Sequence, residues 1–278
     1  MQTKHIKHKA MELWQGISYF IARFILRRSF LTAYSGYATL KFRFKTEDAL
    51  GRSIYKRGHF EKQDTDFLLN QLEFNAGDII FDVGANIGWY SLIFDKMIDQ
   101  AIKIYAFEPD PLNFQLLNEN IRANRAEKIS AIPKAVAETE TDKLLYRYSN
   151  NNLGRHSLLP INNDEGIRIA STRLDHFISQ QNIDMARIKF MKIDIEGYEY
   201  KALLGAQTLL QKLPCIFSEY APPYMQKGGL KPTDFIHLLL DYHYQPYLVT
   251  QGQLKPVNID TLLKNTEIIN LFWQKKAA

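Results

Sequence analysis

The sequence predicts an α/β fold: a mainly parallel sheet with helices on both faces, an N-terminal helical extension and a β-hairpin insertion. Three observations predict it. From Asp64 onward short apolar runs alternate with helical patterns, and repeated strand-helix alternation builds a parallel sheet. A glycine turn, Gly84 to Gly88, stands where the first of these strands gives way to a helix. Acidic residues close later strands at Glu108, Asp194, Glu196 and Glu219, and ligands of such sheets bind at the carboxyl ends of the strands.

In chain order, Leu13, Ile17, Phe20, Ile21, Phe24 and Ile25 recur at three- and four-residue spacing, with Arg23, Arg27 and Arg28 near the end of the pattern. This is the apolar face of a basic amphipathic helix. Such a helix either caps the main domain or a neighbouring copy in a homo-oligomer, or makes a peripheral membrane contact. With it, residues 1–60 include an aromatic lid or substrate segment carrying Tyr34, Tyr37, Phe42, Phe44, Tyr55 and Phe60; residues 61–278 form the main domain. Strands are expected over 78–83, 102–107 and 129–136, with helices over 90–97 and from Pro111 towards Asn124, where proline suits the first turn. Pro133 within the third strand is accommodated on an edge or at a bulge. Residues 138–173 are polar, with turn signals at 150–154 and 162–166, and read as a hairpin-rich insertion. Strands follow over 187–195, 215–219, 244–249 and 268–273, with helices over 198–210 and 232–242.

A chain of 278 residues, 46% apolar and 23% charged, can bury its own core. The single cysteine, Cys215, excludes an internal disulfide or a multi-cysteine zinc site and points to a reducing, cytoplasmic location, membrane association being left open. The apolar run 17–26 contains Arg23 and is too short to span a membrane. No small-residue cleavage site follows it, as a signal peptide would require. The net charge of +5 is modest and concentrated at the ends, at Lys4, Lys7, Lys9, Arg23, Arg27, Arg28, Lys275 and Lys276, which gives no case for nucleic acid. His5 and His8 belong to that basic end.

Gly84 and Gly88 let the backbone approach a ligand without side-chain clash. Asn86 stands where a dinucleotide fingerprint has its second glycine, and no Gly-Lys-Ser/Thr follows for a phosphate loop. Asp82 beside the turn would repel pyrophosphate and suits an ammonium or sulfonium cation. Glu108, 20 residues beyond Gly88, is placed to accept both ribose hydroxyls.

Phe81-Asp82-Val83-Gly84-Ala85-Asn86-Ile87-Gly88, Ala106-Phe107-Glu108-Pro109 and Lys192-Ile193-Asp194-Ile195-Glu196-Gly197-Tyr198-Glu199, in this order, resemble the motif set of the FkbM family of S-adenosylmethionine-dependent methyltransferases. The similarity covers about residues 64–220 and includes Thr172-Arg173-Leu174-Asp175 and Leu203-Leu204-Gly205-Ala206. The resemblance implies a class I methyltransferase, Rossmann-like fold with a seven-stranded sheet whose last strand is antiparallel. It also implies S-adenosylmethionine as cofactor and, as acceptor, a hydroxyl of a glycan or small-molecule natural product. By this match Gly84, Asn86 and Gly88 line the methionine part, Glu108 holds the ribose, Pro109 lies against the adenine, and the stretch with Ala135 and Val136 forms the adenine edge.

Lys192, Asp194 and Glu196 alternate onto one face of their strand. Three ionisable groups in a row are costly to bury unless paired. They serve either as a catalytic group, with Asp194 or Glu196 taking the acceptor's proton and Lys192 or a divalent metal lowering its pKa, or as a paired cap on the next helix. Glu199 falls in the first helical turn, where acids are favoured anyway. Glu219, ending the following strand, is a second base or substrate-binding candidate; His156 in the insertion is a weaker one. Ala221-Pro222-Pro223-Tyr224 lacks the leading amide or acid of the amino-group methyltransferase motif and follows the fifth strand rather than the fourth. Two alternatives compete. A nicotinamide-dependent (NAD) oxidoreductase is opposed by Asn86, and a catalytically inactive cofactor-binding module is opposed by the retained Gly84, Gly88, Glu108, Asp194 and Glu196.

Overall fold

The computed structural model of the chain describes residues 12–147, 156–160 and 166–276. Lys4, His5, Lys7, His8, Lys9, the turn signal at 150–154 and most of that at 162–166 lie outside them. One eight-stranded sheet organises the molecule. Its strands are β1 (Ile79–Val83), β2 (Lys103–Phe107), β3 (Ile129–Ile132), β4 (Ile188–Ile193), β5 (Cys215–Tyr220), β6 (Tyr244–Thr250), β7 (Gln253–Pro256) and β8 (Ile269–Lys275). Their spatial order is β7-β6-β8-β5-β4-β1-β2-β3. The strands β3, β2, β1, β4 and β5 are mutually parallel, and β8 runs antiparallel between β5 and β6. Without β7 this is the seven-stranded class I methyltransferase arrangement.

The central strands are apolar because both faces are covered: every residue of β1 is buried, as expected of a parallel strand between helical layers. One face packs against helices Trp89–Met97 and Pro111–Ala123 and the N-terminal segment. Phe42, Phe44 and Ile54 share that core with Trp89 and Ile93, so residue 60 does not divide two cores. The other face is covered by helices Leu174–Gln180, Glu199–Leu204 and Pro232–Asp241, with Phe81, Met191 and Leu203 in its core.

Several elements depart from expectation. The strand expected over 129–136 is two. Ile129–Ile132 is the edge of the large sheet, whereas Ala135–Val136 pairs in parallel with Ser171–Thr172. Pro133 has no N–H to continue the first ladder. The helix expected over 198–210 is broken at Gly205, where a Cβ would lie 2.2 Å from the carbonyl oxygen of Ala137. The extra strand β7 forms a hairpin with β6 through Gln251 and Gly252, both at positive φ, the conformation of a two-residue hairpin turn. In the insertion, Lys143–Arg147 pairs antiparallel with His156–Ser157 and with Ile167–Ile169.

The N-terminal segment, unplaced by sequence beyond its first helix, contains a hairpin of Phe30–Tyr34 and Lys41–Lys45 and helices Ala49–Arg57 and Lys62–Gln71. Two asparagines of helix Pro111–Ala123 and its cap hold the hairpin. Asn120 Oδ1 accepts from Arg43 N–H (2.7 Å), and its Nδ2 donates to the carbonyls of Arg43 (3.1 Å) and Ile87 (2.9 Å). Asn124 repeats the pattern on the backbone of Lys41 at 2.8 and 2.7 Å.

Candidate active site

The carboxyl ends of β1, β2, β4 and β5 open into one cavity. Of the thirteen site candidates singled out from sequence, eleven line it: Gly84, Asn86, Glu108, Pro109, Ala135 and Val136 on one side, Lys192, Asp194, Glu196 and Glu219 on the other, and His156 of the insertion.

On the first side, Gly84 (φ +79°) leaves β1 so close to β4 that a Cβ there would lie 2.0 Å from the backbone oxygen of Asp194. Its N–H and that of Ala85 both donate to the carbonyl of Phe107 at 3.0 Å, tying the exits of β1 and β2 together. Asn86 (φ +51°) turns its N–H onto Glu108 Oε2 (2.8 Å), while Asp110 N–H donates to Oε1 (2.8 Å). Glu108 is 5% exposed. Burial outweighs the two N–H groups and pushes its pKa up to about 8.

Asp82 and Gly88 lie outside the cavity lining. Asp82, expected to face a cation, is buried beneath the turn, and its Oδ2 accepts from Ser91 N–H (3.1 Å) and Oγ (2.6 Å). It caps the helix Trp89–Met97, satisfying a first-turn donor. Burial raises its pKa despite these bonds and the nearby Lys192. Gly88 (φ +95°) serves close packing, since a Cβ there would meet Leu117 Cδ1 at 2.7 Å.

The second side is acidic. Regular strand ends at Ile193, so the expected alternation of Lys192, Asp194 and Glu196 along one strand face stops short of Glu196, which takes φ +55°. Lys192 Nζ lies 3.2 Å from Asp194 Oδ2 and 3.3 Å from the carbonyl of Gly84. Burial disfavours this ammonium, but Asp194, Asp82 and Glu61 prevail and hold its pKa above the ordinary lysine value. Glu199 is fully buried; its Oε1 accepts from the N–H groups of Ile195 (2.8 Å) and Gly197 (3.3 Å), which shapes the Asp194–Gly197 turn. Burial pushes it up to about 7. Glu219 is driven well above the carboxylate range by burial and by Asp194, Glu196, Glu199 and Glu61. Buried Oε2 atoms of Glu199 and Glu219 have no hydrogen-bond partner among the described residues. One carboxylate oxygen each of Asp194, Glu199 and Glu219 lie within 4.8 Å of one another, an oxygen set able to hold a divalent cation.

Two further cavity residues lie outside the motifs. Glu61, which no motif announced, lines the cavity and accepts from Tyr90 Oη (2.7 Å); burial pushes it up to about 7. Only its place at the start of a helix, behind Phe60, could have drawn notice. His156, the weaker base or substrate-binding candidate, lines the cavity with a side chain 7% exposed and Nδ1 3.4 Å from Asp110 Oδ2. Burial lowers its pKa more than Asp110 raises it.

The family model for the methyltransferase FkbM domain matches residues 82–246, more than half of the chain and most of this cavity. The chain belongs to the FkbM-domain methyltransferases. Its curated relatives include the hexuronic acid methyltransferase AglP of Haloferax volcanii, 24% identical over 77% of this chain and 81% of that protein. The 2-O-methyltransferase NoeI of Sinorhizobium fredii is 23% identical over 68% and 80%. The 31-O-demethyl-FK506 methyltransferase FkbM of Streptomyces tacrolimicus is 27% identical over 52% and 65%. Among solved structures, the methyltransferase FkbM of Methylobacillus flagellatus matches with a TM-score of 0.48 and 21% identity, covering 73% of this chain and 45% of that one. In this FkbM-domain chain the matched stretch holds both strand-end clusters and the insertion, while Ala49, Leu50, Phe60 and Glu61 bring cavity wall from outside it. Membership sets aside the oxidoreductase reading.

Proposed function

We propose that this methyltransferase transfers the methyl group of S-adenosylmethionine to a hydroxyl of a glycan or small-molecule natural product. The observation that carries the reading is Glu108. Its buried carboxylate is fixed by two backbone N–H groups yet faces the cavity, which suits a pair of ribose hydroxyls. The surroundings fit the rest of such a cofactor: the bare backbone of Gly84, the buried Asn86 Oδ1 with no partner among the described residues, and Pro109, Ala135 and Val136 as an adenine wall. When bound, the cofactor supplies an electrophilic methyl group on sulfonium. The chain's part is alignment, exclusion of water and removal of the acceptor's proton.

Asp194 is the base in this reading. It lines the cavity, and its ion pair with Lys192 holds the carboxylate in place. Glu219, which lines the cavity and whose buried Oε2 has no partner among the described residues, meets the acceptor's polar groups. Glu196 and Glu61 complete the acceptor wall. The hydroxyl specificity draws support from the relatives named as O-methyltransferases.

Isothermal titration with S-adenosylmethionine, S-adenosylhomocysteine and NAD tests the cofactor, and transfer of labelled methyl to a panel of sugars and polyols tests the acceptor. Binding of the first two without NAD, followed by alkali-stable label on a hydroxyl, is expected. Cofactor binding with no transfer to any acceptor would favour the inactive module. Repeating the assay after EDTA and with added Mn²⁺ decides whether Asp194, Glu199 and Glu219 hold a metal during turnover.

A further inference from the structure

The N-terminal helix is inside out. Residues 12–20 are helical and continue into a π-helical turn, Ile21–Ile25, and the helix meets the rest of the chain through its small and polar side. Tyr19 and Ala22 are buried, Ser18 Oγ bonds Tyr55 Oη (3.0 Å), and Arg23 donates to the carbonyl of Thr46 (3.1 Å). The apolar face picked out by the sequence periodicity points to solvent: Leu13 is 67% exposed, Ile17 45%, Phe20 54%, Phe24 55% and Ile25 64%. Soluble monomers rarely leave so continuous an apolar surface uncovered.

The remaining segments of the chain do not suit it as a cover. Residues 1–11, 148–155 and 161–165 are dominated by Lys, His, Asn and Ser. A second copy fits poorly too, because residues 13–46 contain no acid to face the exposed Arg27 and Arg28. Residues 1–46 hold nine Lys and Arg against one acid, leaving the rest of the chain at a net −3. No helix among the described residues is long and apolar enough to cross a membrane. We infer that this face lies flat in the interface of an anionic lipid bilayer, with the aromatic and aliphatic side chains among the acyl chains and Arg27 and Arg28 at the headgroups.

The test is flotation of the purified full chain with vesicles of phosphatidylcholine alone and of phosphatidylcholine with 30% phosphatidylglycerol (a composition of about the charge that draws basic segments). Expected is binding to the anionic vesicles that weakens with salt and falls at least about tenfold on neutral vesicles. The double variants F20E/F24E and R27E/R28E should each lose it about as strongly. Unchanged melting temperature and S-adenosylhomocysteine affinity in both variants would show that the fold is kept. Equal binding of wild type and F20E/F24E would falsify the inference. So would absence of vesicle binding, whether the chain is monomeric or forms a dimer in ultracentrifugation that F20E/F24E dissolves; the dimer would assign the face to a second copy.

Discussion

Lys192 Nζ stands 3.2 Å from Asp194 Oδ2 and, on its other side, 3.3 Å from the carbonyl oxygen of Gly84. One buried ammonium thus joins the acidic turn after β4 to the glycine turn after β1. The pairing that sequence offered as an alternative to catalysis is present, and it lies in the cavity wall, so pairing and catalysis are compatible. Substituting Asp194→Asn keeps a hydrogen-bond acceptor for Lys192 while removing the base. Turnover should fall by about a hundredfold or more with S-adenosylmethionine affinity within a few-fold of wild type. Single-turnover rates beside isothermal titration separate the two. A variant that loses stability but not rate per folded molecule would make Asp194 structural.

Glu108→Ala removes the acceptor for two backbone N–H groups and for the proposed ribose. S-adenosylhomocysteine binding should weaken by about 1–3 kcal/mol, the sum of two hydrogen bonds to the ribose at about 0.5–1.5 kcal/mol each. Titration calorimetry reads this directly, and unchanged affinity would remove Glu108 from the cofactor site.

Gly84 and Gly88 are needed for different reasons, and alanine should distinguish them. At Gly84 the new Cβ meets backbone at 2.0 Å, whereas at Gly88 it meets the tip of Leu117 at 2.7 Å. Both positions have positive φ, which already disfavours alanine. Urea unfolding should show a loss of at least about 3 kcal/mol for Gly84→Ala and a smaller one for Gly88→Ala, where a side chain can rotate away. The reverse order would mean that the exits of β1 and β4 are less tightly joined than the geometry requires.

Stability should fall as pH rises. Glu61 and Glu108 move from an ordinary 4.5 up to about 7 and about 8 in the folded chain, chiefly through burial. Between those values the folded state holds protons that the unfolded chain has released. Stability is therefore full below about pH 4.5 for these two groups and declines towards pH 8, by at most about 1.4 kcal/mol for each unit of upward shift. Melting temperatures from pH 5 to pH 9 measure this. A flat profile in wild type, or an undiminished slope in Glu108→Gln, would contradict it.

The strands and turns of the central sheet were legible because their signals are local. A buried parallel strand reads as an apolar run, and the polar residue at its exit (Glu108, Asp194, Glu219) is what remains when the run stops at a cavity. Glu61 was not legible, since it reaches the cavity by the docking of a segment whose pattern mixes aromatic and charged residues. His156 could be named only as a weak candidate, because its burial depends on Asp110 at the start of a distant helix as well as on Arg147 of its own hairpin. Periodicity showed which residues of the first helix share a face but could not say which way that face points. Only Gln251-Gly252 could have announced β7.

Asn120 and Asn124 give the N-terminal hairpin a surrogate neighbour. Each amide side chain grips one backbone residue of Lys41–Lys45 by N–H and C=O, as a partner strand would. The cofactor half and the N-terminal part of the cavity wall are thereby a single cassette. A graft that exchanged residues 30–71 for those of a relative, in order to change the acceptor, would have to carry these two asparagines with it.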